Sequence, residues 1–491
     1  MINQEGRILM HCITRPLTRL GLVSLVAVGL VACDDDNPVG NGNGNGNGNG
    51  NGGGSLVVIL EGQISGNRTL SADSIYVIEG FLEVVPGAVL TVPAGTDLVS
   101  DIETKGTIVT LQGDDTGPSG RLVVQGTPGN PVFLRPGSAA TAEALGLSQV
   151  TSCSRGDGGG VVLHGNAPIN VPGGTAISEG VSRPFGGDDP TDDSGDIQYL
   201  VILCGGVQIA PDNEINGLTF AGTGSGTVIS HVQAHLIADD GFEWFGGTTN
   251  ADHLISSGND DDGLDCDFGW TGTVQFALVI QDRDLANRGV ECDNDGDGSD
   301  NTPITTPTFW NVTWIGAGVE QANNEINDGP FLRRNSAPDI YNSIIANFGN
   351  VGVVIDGSGS QGRATGGELD IDNILFFENQ ALASPAAQAA TTCLTQNVNF
   401  RSGDYVTDGV EAAFGDGTFV CDDPLFTSVN LADPIDGTTP DLRPGAGSPA
   451  RESANARTPS GPGVVDPAAA YLGAFDATDW TAGWSVWTDA N

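Results

Sequence analysis

The stretch Asp239-Asp240-Gly241-Phe242-Glu243-Trp244 recurs as Asp261-Asp262-Gly263-Leu264-Asp265-Cys266 after 22 residues, and as Asn287-Arg288-Gly289-Val290-Glu291-Cys292 after a further 26. Weaker echoes stand at Gly329 and Gly352, and His231 and His253 each precede a motif glycine by ten residues. Each copy is a short alternating run behind a glycine, which is a strand pattern. A repeat in the low twenties is the length of one coil of a parallel β-helix, where every coil buries its apolar side against the coils above and below. Independent globular domains would not preserve these offsets.

The rest of the chain agrees. From Leu56 onward, alternating apolar runs are punctuated by glycine, as in Phe81-Leu82-Glu83-Val84-Val85-Pro86-Gly87-Ala88-Val89-Leu90-Thr91-Val92. The 491 residues include 73 Gly, 46 Asp and 16 Glu, a balance that disfavours helices and favours turns. Two Ala-rich stretches, 139–147 and 381–390, read as short helices or loops inserted between strands. The expected fold is all-β, a parallel β-helix over 56–491. Its tail, with Trp480, Trp484 and Trp487, is expected to form the last coil and a cap on the open end of the stack.

The net charge is −44, and Lys105 is the single lysine. Such a field excludes nucleic-acid binding and attachment to anionic membrane through a basic surface. The amino terminus offers a different membrane attachment. Arg7, Arg15 and Arg19 precede an apolar run from Leu20 to Leu30, the order of a secretory signal, expected over 1–32. Leu30-Val31-Ala32-Cys33 resembles the lipobox of bacterial lipoproteins, which implies lipidation of Cys33 and anchoring in the cell envelope, with the outer membrane as the expected site. Asp34-Asp35-Asp36 and the Gly/Asn repeat then make residues 33–55 a flexible tether.

Gly165-Asn166-Ala167-Pro168-Ile169-Asn170, Phe185-Gly186-Gly187-Asp188-Asp189-Pro190, Asp240-Gly241-Phe242-Glu243-Trp244-Phe245-Gly246-Gly247 and Tyr471-Leu472-Gly473-Ala474-Phe475 carry a wider likeness. Over most of 60–487 the sequence resembles right-handed parallel β-helix proteins of the pectin-lyase-like class, and more narrowly a family of bacterial surface lipoproteins. That resemblance implies a fold and a placement. It brings no activity with it.

Stacking the three motif copies in register lines up Phe242, Leu264 and Val290 as one interior column and Trp244, Cys266 and Cys292 as the next. Strands about 4.8 Å apart lie within disulfide reach, so Cys266 and Cys292 are expected to be bonded. The other mature cysteines pair in sequence order as Cys153–Cys204 and Cys393–Cys421, one of the 15 connectivities that six cysteines allow.

The opposite face carries the chemistry. Glu243, Asp265 and Glu291 form an outward column joined by Asp267 and Asp293, and like charges one strand apart need something to offset them. Arg288, in the column of Asp240 and Asp262, supplies part; Ca²⁺, which takes oxygen ligands, is the candidate for more. The loop Asp293-Asn294-Asp295-Gly296-Asp297-Gly298-Ser299-Asp300 begins like an EF-hand, yet its twelfth position is Ile304 where a Glu is required. Metal candidates are therefore Asp261, Asp262, Asp293, Asp295, Asp297 and Asp300, against acidic turns that simply end strands. The cluster Asp188, Asp189, Asp192, Asp193 and Asp196 is a weaker candidate, and His231 with His253 fits a stacked ladder better than a transition-metal site.

Glycan binding or adhesion at this face, by a monomer, is the leading functional expectation. A polysaccharide hydrolase or lyase using Glu243, Asp265 and Glu291, with Arg288 as base in the lyase version, is the alternative, because two carboxylates about 5 Å apart suit retaining glycosidases. Against it, the Gly-His-Gly and Arg-Ile-Lys type segments of polygalacturonases are missing, and simple repetition explains the carboxylates. A structural envelope spacer is the third reading. Trp270, Trp310 and Trp314 are candidates for a sugar-stacking platform or for core packing.

Overall fold

The computed structural model describes residues 56–114, 117–140, 142, 153–210, 213–285, 287–318, 327–379 and 390–487. The expected signal, Cys33 and the tether lie outside them, as do residues 143–147 and 381–389 of the two Ala-rich stretches. Ala139 and Ala140 are helical, and Ala390 opens the helix Ala390–Asn397.

Among the described residues, twenty-five strands form one continuous sheet whose pairings along the solenoid are parallel, with one antiparallel pair, Val398–Arg401 and Tyr405–Val406. Short strands such as Leu218–Ala221, Phe242–Phe245, Leu264–Asp267 and Arg288–Cys292 stack as one face. Longer strands, among them Val228–His235, Asn250–Ser257, Thr273–Ile280 and Thr308–Ile315, make two more faces, because each bends in its middle. The bend is a single left-handed residue, repeated coil after coil: Tyr199, His231, His253, Phe276, Asn311, Asn342 and Asn373 all have φ between 50° and 64°. Asparagine and histidine adopt that conformation more readily than most residues, and Tyr199 and Phe276 do so beside the stacked histidines. His231 lies 4.3 Å from Tyr199 and 4.2 Å from His253, with rings nearly parallel.

The motif glycine has a steric cause. A Cβ on Gly241 would stand 2.8 Å from the carbonyl oxygen of Gly263, and one on Gly263 would stand 2.8 Å from that of Gly289 and 2.3 Å from Val279. The same close approach of coils recurs at Gly329, so the fainter echoes belong to the same column. The preceding aspartates cap the next coil: Asp240 accepts from the Asp262 N–H at 2.8 Å, and Asp262 from the Arg288 N–H at 2.6 Å.

Inside, Phe242, Leu264 and Val290 form one column and Trp244, Cys266 and Cys292 the next, all fully buried. Three disulfides join Cys266 to Cys292, as the register predicts, and Cys153 to Cys204 and Cys393 to Cys421, as expected from sequence order. Non-reducing peptide mass mapping should return the Cys266–Cys292 peptide pair; alkylation of both thiols in the native protein would overturn this stacking.

The tail corrects the expectation of an end cap. The end of the stack is filled by Leu394, Val410 and Phe414 from the helices Ala390–Asn397 and Val410–Phe414. The tail instead runs along the flank, where Leu472, Phe475, Trp484 and Trp487 cover the outward apolar residues Val201, Ile255, Leu278 and Ile315. Outward-facing aliphatic side chains on consecutive coils give the tail an apolar surface to bury there.

Candidate functional site

Glu243, Asp265 and Glu291 occupy one register position on three adjacent short strands, bounded by Thr219 on one side and Phe331 on the other. Strand alternation sends them away from the core, as expected, but not fully into solvent. Glu243 is only 8% exposed, while Asp265 and Glu291 are half-buried. Glu243 is roofed by a carboxyl-to-carboxyl contact with Glu179, from the excursion before the strand Gly195–Leu203, and accepts a hydrogen bond from the Asn216 amide.

The carboxylates converge. One oxygen each from Asp262, Asp265 and Glu291 lies within 4.8 Å of the others, and the same holds for Asp240, Glu243 and Asp265, and for Asp239, Asp240 and Asp261. The first two groups share Asp265. Burial, followed by the mutual repulsion of neighbouring carboxylates, holds Asp240, Glu243, Asp262 and Asp265 well above the usual carboxylate range. Burial also lifts Asp239 to about 8, and Glu291 and Asp267 to about 7. Such a donor set, all oxygen and short of compensating charge, has the chemistry of a hard divalent cation site.

The expected metal residues divide. Asp261 and Asp262 enter these groups. In the 293–300 loop, Asp293, Asp295 and Asp300 hold other partners, and Asp297 is exposed. Arg333 and Arg334 hold Asp293 at 2.7 and 2.6 Å, and Arg333 also pairs with Glu291. Asp295 accepts from the N–H groups of Asp297 and Ser299, and its hydrogen bonds within the loop hold it below its ordinary range although burial acts the other way. Asp300 faces Asn335 and Arg363. Among the described residues, Asp295, Asp297 and Asp300 join no three-ligand group.

The cluster at 188–196 is likewise spent on turns and pairs, with Asp189 capping Thr191, Asp192 bound by Ser119 and Ser194, and Asp193 paired with Arg121. His231 and His253 form the stacked ladder. With Asp252 they offer three ligand atoms, but parallel rings 4.2 Å apart cannot direct two in-plane lone pairs at one ion. Trp270 and Trp314 are fully buried and Trp310 is 3% exposed, so these three pack the structure and provide no sugar platform.

Arg288 stands in the Asp240–Asp262 column and continues it to Asp328. Its guanidinium lies 4.6 Å from the Phe331 ring centroid, beside those of Arg401 and Arg333 at 4.6 and 5.4 Å, and donates to Asn287. It is buried. A short basic patch thus adjoins the acidic ladder. Asn216-Gly217-Leu218-Thr219, one coil before Asp240, is a further copy of the motif that could have been found by its Asn-Gly-Leu start. Glu179 and Arg333 carry no such signal.

Residues 62–417 match the family model described as a pectate-lyase like beta helix domain. No curated protein and no solved structure matches the chain. With coils, register and core as described and well over half of the 491 residues covered by the match, the chain belongs to the pectate-lyase-like β-helix family.

Proposed function

We propose that this protein is an exported, lipid-anchored envelope β-helix that binds a divalent cation of the calcium type in its carboxylate ladder, and an extracellular glycan through that face. The observation that carries this reading is the pair of three-carboxylate groups sharing Asp265. Held one coil apart by backbone hydrogen bonds, these groups cannot spread to relieve their repulsion, so a cation is the natural counter-charge. A bound cation with open coordination positions would also let hydroxyl or carboxylate oxygens of a sugar chain approach a surface that otherwise repels anions.

Calcium at millimolar concentration should raise the melting temperature, and a chelator should lower it again. No change in either direction removes the cation from the reading. Glycan-array binding with and without calcium then tests the ligand.

A polysaccharide hydrolase or lyase is the second reading, favoured by the half-open Asp265 and Glu291; Glu291, lifted to about 7 by burial, suits a general acid. Glu243 is too enclosed to share in it, and Arg288 is too buried to serve as the base. Release of products from neutral and acidic polysaccharides, lost in Asp265→Asn, would favour the enzyme. Binding without turnover favours the adhesin.

A further inference from the structure

Along the flank, buried amide side chains from several coils grip the backbone of the tail. Gln233 donates to the Val486 carbonyl and accepts from the Val486 N–H, both at 2.8 Å. Gln275 donates to the Asp466 carbonyl at 3.0 Å and accepts from the N–H groups of Val465 and Asp466 at 2.8 and 2.9 Å. Asn342 pairs in the same way with Arg457 at 2.7 and 2.9 Å. Asn311 donates to the carbonyls of Ala469 and Tyr471, and Asn373 to that of Asn455.

These amide contacts read the tail's main chain. A primary amide offers N–H donors and a carbonyl acceptor, the complement of a peptide group, so these side chains can grip a main chain largely irrespective of its side chains. Side-chain selection comes from the apolar flank, from the histidine stack, where Trp480 sets its ring 5.0 Å from His253 and Trp484 sets its ring 5.8 Å from His231, both steeply inclined, and from Arg457, whose guanidinium lies over the Tyr341 ring and near Asp370 and Asp372. The tail lies outside the matched residues 62–417. It leaves the strand Asp441–Pro444 through Gly445-Ala446-Gly447, where Gly447 has φ +86° and no heavy atom near its would-be Cβ. A hinge of that kind lets the segment beyond it swing without disturbing the coils.

We propose that the flank is a main-chain-reading peptide groove, and that a second copy of this chain can fill it with its own segment 448–487. The only polypeptide known to fit the groove is this strap, and an exchanged strap keeps every hydrogen bond and apolar contact of the resident one. Its cost is therefore confined to the hinge and to association.

The test uses the full chain with a protease site inserted between the exposed residues Thr438 and Thr439, cleaved after folding. The strap fragment should stay bound through gel filtration, and a fluorescein-labelled synthetic 441–487 peptide should replace it over time. In the Gln233→Ala/Gln275→Ala double variant retention should weaken by about tenfold or more, since several buried hydrogen bonds are lost. With the intact chain at high concentration, light scattering should detect a two-chain species that carries label from a tagged strap. Failure of the labelled peptide to enter the nicked protein while its β-sheet circular dichroism persists overturns the groove, whatever the double variant does. Entry of the peptide, with the intact chain strictly monomeric throughout, overturns the exchange between copies.

Discussion

Raising the pH of the metal-free protein from about 5.5 to about 8 should lower its melting temperature, and Asp265→Asn should remove a large part of that fall. The sign follows from the ladder. Asp240, Glu243, Asp262 and Asp265 are held above the ordinary carboxylate range by burial and by one another, and Glu291 and Asp267 reach about 7. The folded state therefore binds more protons than the unfolded chain above about pH 4, so the contribution is present at the acid end and lost as pH rises through the folded values.

Each carboxyl protonated when folded and ionised when unfolded contributes about 1.4 kcal/mol per pH unit, and several act together. Calcium should flatten the profile at the alkaline end, because the cation replaces the protons, and Asp265→Asn should blunt that response as well. Thermal melts in chelator across the window check this. A melting temperature that climbs with pH would mean that the ladder carries its charge without strain, and would remove the physical argument for a cation.

Trp244→Ala should destabilise the fold by about 3–5 kcal/mol, the largest expected effect of any single substitution considered. Trp244 is fully buried, with Phe220 at 4.9 Å and Trp270 at 4.4 Å, both rings nearly parallel to it. The rigid coils on either side cannot collapse into the space, and in a solenoid each coil is stabilised chiefly by its neighbours, so a void midway weakens the coupling between the two halves. Trp484→Ala is the informative control: it strips an anchor of the strap and leaves the interior columns intact. Denaturant unfolding of both variants gives the comparison. A loss below about 1 kcal/mol for Trp244→Ala would contradict an interior packed as described.

Much of this was readable beforehand, and for an identifiable reason. A repeat that returns the same residue type at the same offset fixes register, and register alone decides that Cys266 meets Cys292 and that Glu243, Asp265 and Glu291 align. The misreadings fall where the repeat lapses. The tail has no copy elsewhere in the chain, and its tryptophans say only that it is buried, not against which surface. The helix Gly357–Gly366 carries four glycines and an unfavourable propensity; it forms because its small residues let it close on Asn335, and Arg363 donates to the Asn335 carbonyl. The aspartate spacing of the 293–300 loop is shared by cation loops and by turns that cap their own N–H groups, and Asp295 does the latter.

The sequence by itself determined the coil, the columns, the Cys266–Cys292 bond and the excess of negative charge on one face, since all of these follow from periodicity and strand alternation. Tertiary structure alone decided how open that face is. Glu179 and Arg333 come from segments between strands, and they divide one carboxylate column into an enclosed Glu243, a shared Asp265 and a paired Glu291. It also decided that the tail lies along the flank, because backbone grips by Gln233, Gln275 and Asn342 depend on side chains gathered from distant coils, which local pattern does not encode.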